Sequence, residues 1–182
     1  MIVDFAAVRA GQISYADATR TLQHADLCHA TDELFAELES ALAHATDATI
    51  SFVPRDSAAT DDNEQGWTVS HVIAHFTSTL EGTAAGAAML ARGVKLEGRS
   101  QYETPWESLS TLRMVKARLQ ESHRMCNAFL SAWPDEPHLD LTVEFIPAFG
   151  PMNAIGLDAL GIAHAQQHLD QIRDVVRQAS AA

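Results

Sequence analysis

The sequence predicts an all-α protein, a four-helix bundle with long connections after the first and third helices. Two observations favour this fold: hydrophobic residues, which make up 47% of the 182, recur at intervals of three and four, and β-branched residues never gather into alternating runs. The helix formers alanine, leucine, glutamate and glutamine recur throughout the chain. We therefore expect one domain over residues 1–182, with little or no sheet.

The first helix is predicted to begin near Ser14, because Ser14 and Asp17 have the spacing of a capping box. The helical repeat that follows is carried by Leu27, Leu34, Leu38 and Leu42 and ends near Ala45. Residues 47–66 are polar and acidic, with Pro54, Asp61 and Asp62, and show no helical period. We predict that this segment is a connecting loop.

The second helix is predicted from Thr68, which is well placed as the N-cap, to Arg92 and Gly93. Its second half is rich in small residues, and Gly82 and Gly86 lie one turn apart on one face. Such a face allows close approach either by another helix of the same chain or by a second subunit. The sequence leaves both alternatives open.

The third helix has a clear predicted start in Thr104, Pro105 and Glu107, an N-cap followed by proline at the first position and glutamate at the third. Its apolar seam comprises Leu112, Val115, Leu119, Cys126, Phe129 and Trp133, and Pro134 ends it. Residues 135–151 contain three prolines, so we expect a long connection with at most one short extended piece.

The fourth helix, predicted over residues 153–177, carries the residues that point to chemistry. His164 and His168 are four residues apart, so their imidazoles lie nearly over one another on one helical face. Gln171 continues the same face. A lone pair of this kind is a modest signal, but His75 on the second helix shares a face with small residues that leave space beside its ring. Three histidines from two packed helices could bind one ion.

Two segments of the chain resemble the DinB-like family of metalloenzymes. GWTVSHVIAHF, at 66–76, resembles the family's second-helix pattern of tryptophan, capping hydroxyl and histidine, and HAQQHLDQI, at 164–172, resembles its final helix. The resemblance implies a DinB-like four-helix bundle with a three-histidine metal site at one end. It assigns His75, His164 and His168 as the metal ligands.

The chain also departs from that pattern. His71 stands where relatives often have an acidic residue, and it could begin the helix, contact a ligand or serve as a fourth ligand. Leu169 and Asp170 replace a common Arg-Gly pair. We expect Gln171 to orient a ligand or a neighbouring helix rather than to touch the ion.

Three imidazoles suit zinc or nickel first, and manganese or iron second, and they leave a coordination position for water or substrate. A metal there would polarise a substrate or activate water or an incoming thiol. The resemblance implies a metal-dependent hydrolase, or a transferase or isomerase that uses a low-molecular-weight thiol. The catalytic residues remain unknown, with Glu81, Glu144 and Asp158 as candidates for a general base. The alternative is a non-catalytic dimeric bundle, a binding or stress-response module with a structural metal.

Charge and cysteine content limit the partners. The formal charge is −12, from 24 acidic and 12 basic side chains, which argues against nucleic acid and against an anionic membrane surface. The N-terminus lacks the features of an export signal, and no run reaches the length of a membrane span, so we expect a cytoplasmic protein with a small-molecule substrate. A homodimer is compatible with this reading. Cys28 and Cys126 are expected to be reduced and structural.

Overall fold

The computed structural model describes residues 1–55, 66–98 and 102–182, and its regular structure there is helical. The α-helices in chain order are α1 (Phe5–Arg9), α2 (Tyr15–Thr19), α3 (His24–Ala41), α4 (Asp47–Ile50), α5 (Val69–Ala91), α6 (Leu112–Ser131) and α7 (Ala154–Ala181). Two short 3-10 helices cover Trp106–Ser108 and Pro147–Phe149.

The four long helices pack side by side as a bundle. Helices α3 and α5 each pack against both α6 and α7, and the contact between α5 and α7 is the most extensive. The described residues contain no strand, and Val143 and Met152 form an isolated antiparallel bridge. The prediction of a helical protein is therefore confirmed. None of the helices in the described ranges has both the length and the apolar character needed to cross a membrane.

The two helices that carry the candidate histidines begin at residues with side-chain caps. The Thr68 hydroxyl accepts a hydrogen bond from the backbone N–H of His71 at 3.3 Å, and the Asn153 amide oxygen accepts one from Gly156 at 3.0 Å. Helix α5 ends at Ala91, and Gly93 follows with a φ of 84°, a conformation that favours glycine. The predicted N-cap and end of this helix are confirmed.

The prediction of one long first helix from Ser14 is wrong, because the chain breaks between α2 and α3. Ser14 does cap α2, accepting the N–H of Asp17 at 3.0 Å. The buried Tyr15 donates its hydroxyl to the carbonyl of Gly156 at 2.8 Å, which holds α2 against the start of α7. A second helix start follows, where the Asp26 carboxylate accepts the N–H of Gln23 at 2.7 Å.

The predicted start of the third helix at Thr104 and Pro105 is also wrong. These residues precede only the 3-10 turn Trp106–Ser108, and α6 begins at Leu112 with Thr111 as its N-cap. The reason lies in contacts with distant parts of the chain. The carbonyl of Leu109 accepts a hydrogen bond from the Ser70 hydroxyl at 2.7 Å, and the N–H of Leu112 donates to the Asp47 carboxylate at 2.8 Å.

Those two bonds take backbone groups that a continuous helix would pair internally. Asp47 belongs to α4, a single turn within the segment 47–66 that the sequence analysis assigned to a loop. The acidic residues Asp61 and Asp62 of that segment lie outside the described residues. Helix α7 also ends later than predicted, at Ala181 rather than near Arg177.

Helices α5 and α7 approach closely at two glycines. A Cβ atom at Gly161 of α7 would lie only 1.9 Å from Oγ1 and 3.0 Å from Cβ of Thr83 on α5. At Gly86 of α5 a Cβ would meet Cδ2 of Leu157 at 3.2 Å. At Gly86 the small-residue face of α5 thus packs against another helix of the same chain, which is the first of the two alternatives left open by the sequence.

We predict that Gly161→Ala destabilises the protein by about 1–3 kcal/mol, because the added methyl group overpacks the α5–α7 contact. Gly156→Ala is the matched control, since a Cβ there would meet its nearest atom at an ordinary 3.5 Å. This control should be neutral or stabilising by at most about 1 kcal/mol, the usual helix preference of alanine. Urea unfolding followed by circular dichroism measures both.

Thr83→Ala removes Oγ1, the atom nearest to the methyl group that Gly161→Ala would add, and leaves the Cβ of residue 83 in place. The double variant should therefore lose less stability than the two single variants add up to. Equal effects of Gly161→Ala and Gly156→Ala, or strict additivity with Thr83→Ala, would contradict this packing.

One acidic side chain lies inside the core. Asp158 on α7 is 1% exposed, and its Oδ2 has no hydrogen-bond partner among the described residues. Burial raises the pKa of this carboxyl to about 7. Around it are Tyr15 of α2, Cys28 of α3 and Cys126 of α6, and burial first and the Asp158 charge second raise the pKa of each. Both cysteines are free thiols.

The raised pKa of Asp158 makes stability depend on pH. Its folded value of about 7 exceeds the reference value of 3.8, so the folded state holds a proton that the unfolded state releases between these values. The stabilisation of the folded state by this proton is complete below the unfolded-state pKa of 3.8, and it is lost as pH rises to about 7.

The natural chain loses the stabilisation by the Asp158 proton as pH rises, whereas the amide of Asp158→Asn never ionises. We therefore predict that, from pH 5 to pH 8, the unfolding free energy of Asp158→Asn rises by about 2–3 kcal/mol relative to that of the natural chain. Urea unfolding at both pH values, with a chelator present, measures this difference. Parallel pH profiles for the two proteins would show that Asp158 does not carry the effect.

Candidate metal centre

The three predicted ligands lie together where α5 and α7 pack. His75 comes from α5, and His164 and His168 lie one turn apart on α7. One ring nitrogen from each residue can be chosen so that all three lie within 4.8 Å of one another, and all three side chains are half-buried. Within the described residues, this is the group of histidine, cysteine and carboxylate side chains that could hold an ion.

The spacing of these nitrogens fits a bound metal. The Nε2 atoms of His164 and His168 are 3.2 Å apart. Two imidazole nitrogens bound tetrahedrally at about 2.1 Å from zinc lie about 3.4 Å apart, close to the observed distance. The His75 ring is 5.3 Å from the His164 ring and 5.2 Å from the His168 ring between centroids. A set of three imidazoles suits a borderline divalent ion.

Gln171 fixes the orientation of His168. Its Oε1 lies 2.9 Å from Nδ1 of His168, so Nδ1 carries the proton and donates. The lone pair of Nε2 then faces His164, as a metal ligand requires. Burial lowers the pKa of His168, which favours the neutral imidazole that binds metals. The expected orienting role of Gln171 agrees with this contact.

Glu103 plays a similar part for His75 and was not singled out from the sequence. Its Oε2 lies 3.6 Å from Nδ1 of His75, and both side chains are partly exposed. A carboxylate beside a ligand histidine helps to orient its ring. Glu103 lies in the connection before α6, with no periodic pattern that relates it to α5, so the sequence carried no signal for it.

Trp67 packs beside this cluster, and Trp106 packs against the neighbouring His71. Trp67 stacks on His71 with ring centroids 4.2 Å apart, meets His75 edge-on at 4.9 Å, and lies parallel to His168 at 6.4 Å. Trp106 also stacks on His71, at 5.2 Å. His71 is thus held by stacking at the start of α5, and it lies outside the three-histidine group.

A cavity of about 370 Å³ adjoins the histidines, and His75 and His164 form part of its wall. The rest of the wall is mostly apolar and consists of Phe5, Phe145, Ile146, Phe149 and Leu160. Its remaining polar side chains are Arg9, Thr79, Thr83 and Gln167. Ligand pockets of proteins have this character, an apolar lining with a few polar groups.

None of the three candidate general bases lines this cavity. Glu81 forms an ion pair with Arg118 of α6, and both side chains are only 15% exposed. Asp158 is enclosed in the core, and Glu144 is exposed. Two of the polar residues that do line the cavity, Arg9 and Gln167, were not identified from the sequence, because α1 was not predicted and Gln167 belongs to no recognised pattern.

A comparison with protein families identifies the family of the chain. A family model described as the DinB superfamily matches residues 30–172, a range that includes α5 and most of α7. Nothing among curated proteins or solved structures matches the chain. The matched range covers well over half of the 182 residues and contains all three histidines of the cluster. The chain belongs to the DinB superfamily.

Proposed function

We propose that this protein is a divalent-metal-dependent enzyme in which His75, His164 and His168 bind one ion next to a substrate pocket. The observation that carries the proposal is the joint position of the three imidazoles and the cavity. Their nitrogens lie within 4.8 Å of one another, and two of the three rings also line the cavity of about 370 Å³. A metal held there would therefore face the space in which a small molecule can bind.

Zinc or nickel suits three imidazoles best, with manganese and iron as further candidates. When bound, such an ion supplies Lewis acidity and at least one position for water, thiol or substrate. The chain's own groups orient the ligands: Gln171 hydrogen-bonds to His168, Glu103 lies beside His75, and Trp67 packs near both rings. We propose hydrolysis, or transfer or isomerisation assisted by a low-molecular-weight thiol, as the reaction class.

The alternative function is a non-catalytic dimeric bundle, a binding or stress-response module with a structural metal. It is favoured by one observation, the absence of a carboxylate from the described lining of the cavity. The open cavity beside His75 and His164 supports the enzyme instead, because structural metal sites are closed by a fourth protein ligand. His71, the candidate for that role, stacks on Trp67 and Trp106.

We predict that the natural chain, purified without a tag, holds close to one equivalent of zinc, nickel or manganese, and that His168→Ala holds only a small fraction of it. The reason is that the variant removes one of three ligands. His29→Ala is the matched control, because the His29 side chain is 74% exposed and contacts Glu33 on its own helix, outside the three-histidine group. Elemental mass spectrometry measures the metal content of all three proteins.

If natural chain and His168→Ala hold equal metal, or if neither holds any after incubation with divalent ions, the metal site is wrong. Hydrolase and thiol-transfer assays on the same proteins separate the two functions. The enzyme reading expects turnover that is lost in His168→Ala and kept in His29→Ala. The structural reading expects no metal-dependent turnover in any of them.

We also predict that Gln171→Leu lowers the metal affinity about 10- to 100-fold while the fold is retained. The leucine cannot accept the Nδ1 proton of His168, so the ring loses its fixed orientation. Competition with a chromogenic chelator measures the affinity. Gln178→Leu is a suitable control, since Gln178 bonds to Arg55 and Asp174, away from the histidines. Equal metal affinities of Gln171→Leu and Gln178→Leu would contradict the orienting role of Gln171.

The proposal extends to partners and place. We propose that the protein acts on a small molecule in the cytoplasm and does not bind nucleic acid or membranes, in keeping with its charge of −12. A homodimer remains a prediction, and a monomeric mass by light scattering would exclude it.

A further inference from the structure

We propose that the cavity beside the histidines binds a small apolar carboxylic acid, with its hydrocarbon body against the aromatic wall and its carboxylate at Arg9. Calling this molecule the substrate rests on the metal-dependent function proposed above. The binding itself rests only on the residues that line the cavity.

The apolar wall is built from a stack of aromatic rings. Phe5 of α1 lies 5.6 Å from Phe149 between ring centroids, at an angle of 16°. Phe149 in turn lies 5.1 Å from Tyr15, whose hydroxyl is bonded to the carbonyl of Gly156. Phe5 is 5% exposed, so the stack is a fixed part of the core rather than a loose surface group. A rigid wall of this kind accepts a ring or a short hydrocarbon chain.

Arg9 places a cation at the same cavity. It lies four residues after Phe5 on α1, so both side chains project on one side of that helix. Arg9 forms no ion pair with any residue in the described parts of the chain, although acidic side chains outnumber basic ones two to one. A guanidinium that lines an apolar cavity without a carboxylate of its own can bind the carboxylate of a ligand in a bidentate manner.

The other polar groups of the cavity further restrict which ligands can bind. The Thr83 hydroxyl donates to carbonyls of its own helix, with oxygens 3.1 and 3.0 Å away at Thr79 and Leu80. Gln167 is three residues after His164 on α7, and its amide has no hydrogen-bond partner in the described ranges. Arg9 and Gln167 are therefore the groups able to receive a polar end of the ligand.

The described lining contains no aspartate or glutamate, so it offers no carboxylate to a cationic ligand. The volume of about 370 Å³ lies near the lower end for ligand pockets and limits the body to about one ring or a short chain. An acid held at Arg9 would place its distal part along the wall that ends at His75 and His164.

The test compares 4-phenylbutyrate with its neutral amide on chelator-treated, metal-free protein by isothermal titration calorimetry. We expect the acid to bind about tenfold more tightly than the amide, the size of one charge-assisted hydrogen bond. Arg9→Gln should abolish this preference. Arg113→Gln, which removes the same charge from an exposed position on α6, should retain it. Phe149→Ala should weaken both probes equally and leave their ratio unchanged.

Three results would overturn the proposal: no binding of either probe at millimolar concentration, no preference for the acid in the natural chain, or a preference that survives Arg9→Gln. A preference that appears only after metal is added would place the carboxylate on the ion and would also overturn it. Because the experiment uses metal-free protein, the binding result can be interpreted even if the three histidines do not bind a metal. The two proposals can therefore fail separately.

Discussion

The close approach of α5 and α7 at Gly161 is the constraint on which the site depends. A side chain at this position would collide with Thr83, so only glycine lets the two helices pack at their observed separation. His164 follows Gly161 by three residues, and His75 precedes Thr83 by about two turns on the facing helix. The distance between the helix axes therefore sets whether the His75 ring can reach the His164 and His168 rings.

Neighbouring side chains then orient the histidine rings that this packing brings together. Gln171 selects the tautomer of His168, Glu103 contacts His75, and Trp67 packs on both rings. Burial lowers the pKa of His168, which favours the neutral imidazole that a metal needs. The adjoining cavity is mostly apolar, so a negatively charged ligand there would be stabilised chiefly by Arg9 and by a bound metal ion. Site and pocket share His75 and His164 and form one continuous feature.

The sequence predicted the parts of the fold that local rules determine. Helices α5 and α7 have strong periodicity and capping residues, and the histidine spacing on α7 follows directly from helical geometry. At the predicted first helix, Ser14 caps only the short α2, and α3 begins separately, with Gln23 and Asp26 at its start. The bonds from Tyr15 to Gly156 and from Ser70 to Leu109 join residues that are distant in the sequence, and the second of them accompanies the late start of α6. No local pattern reports such contacts.

The same limit applies to the site. The three histidines could be identified because helix period and family resemblance point to the same residues. Glu103 and Arg9 could not, since each comes from an irregular or very short element whose position depends on the whole bundle. Asp158 reads as an ordinary acidic residue in the sequence, and only the packing of α2, α3 and α6 around α7 shows that it is enclosed.

X-ray absorption spectroscopy of the zinc-loaded protein tests the three-histidine open site most directly. We expect three imidazole nitrogens at about 2.0–2.1 Å and one further light-atom ligand that exchanges with solvent or with an added thiol. A thiol should add a sulfur shell at about 2.3 Å. A spectrum with four protein ligands that an added thiol does not change, or one without imidazole scattering, would contradict the proposed centre.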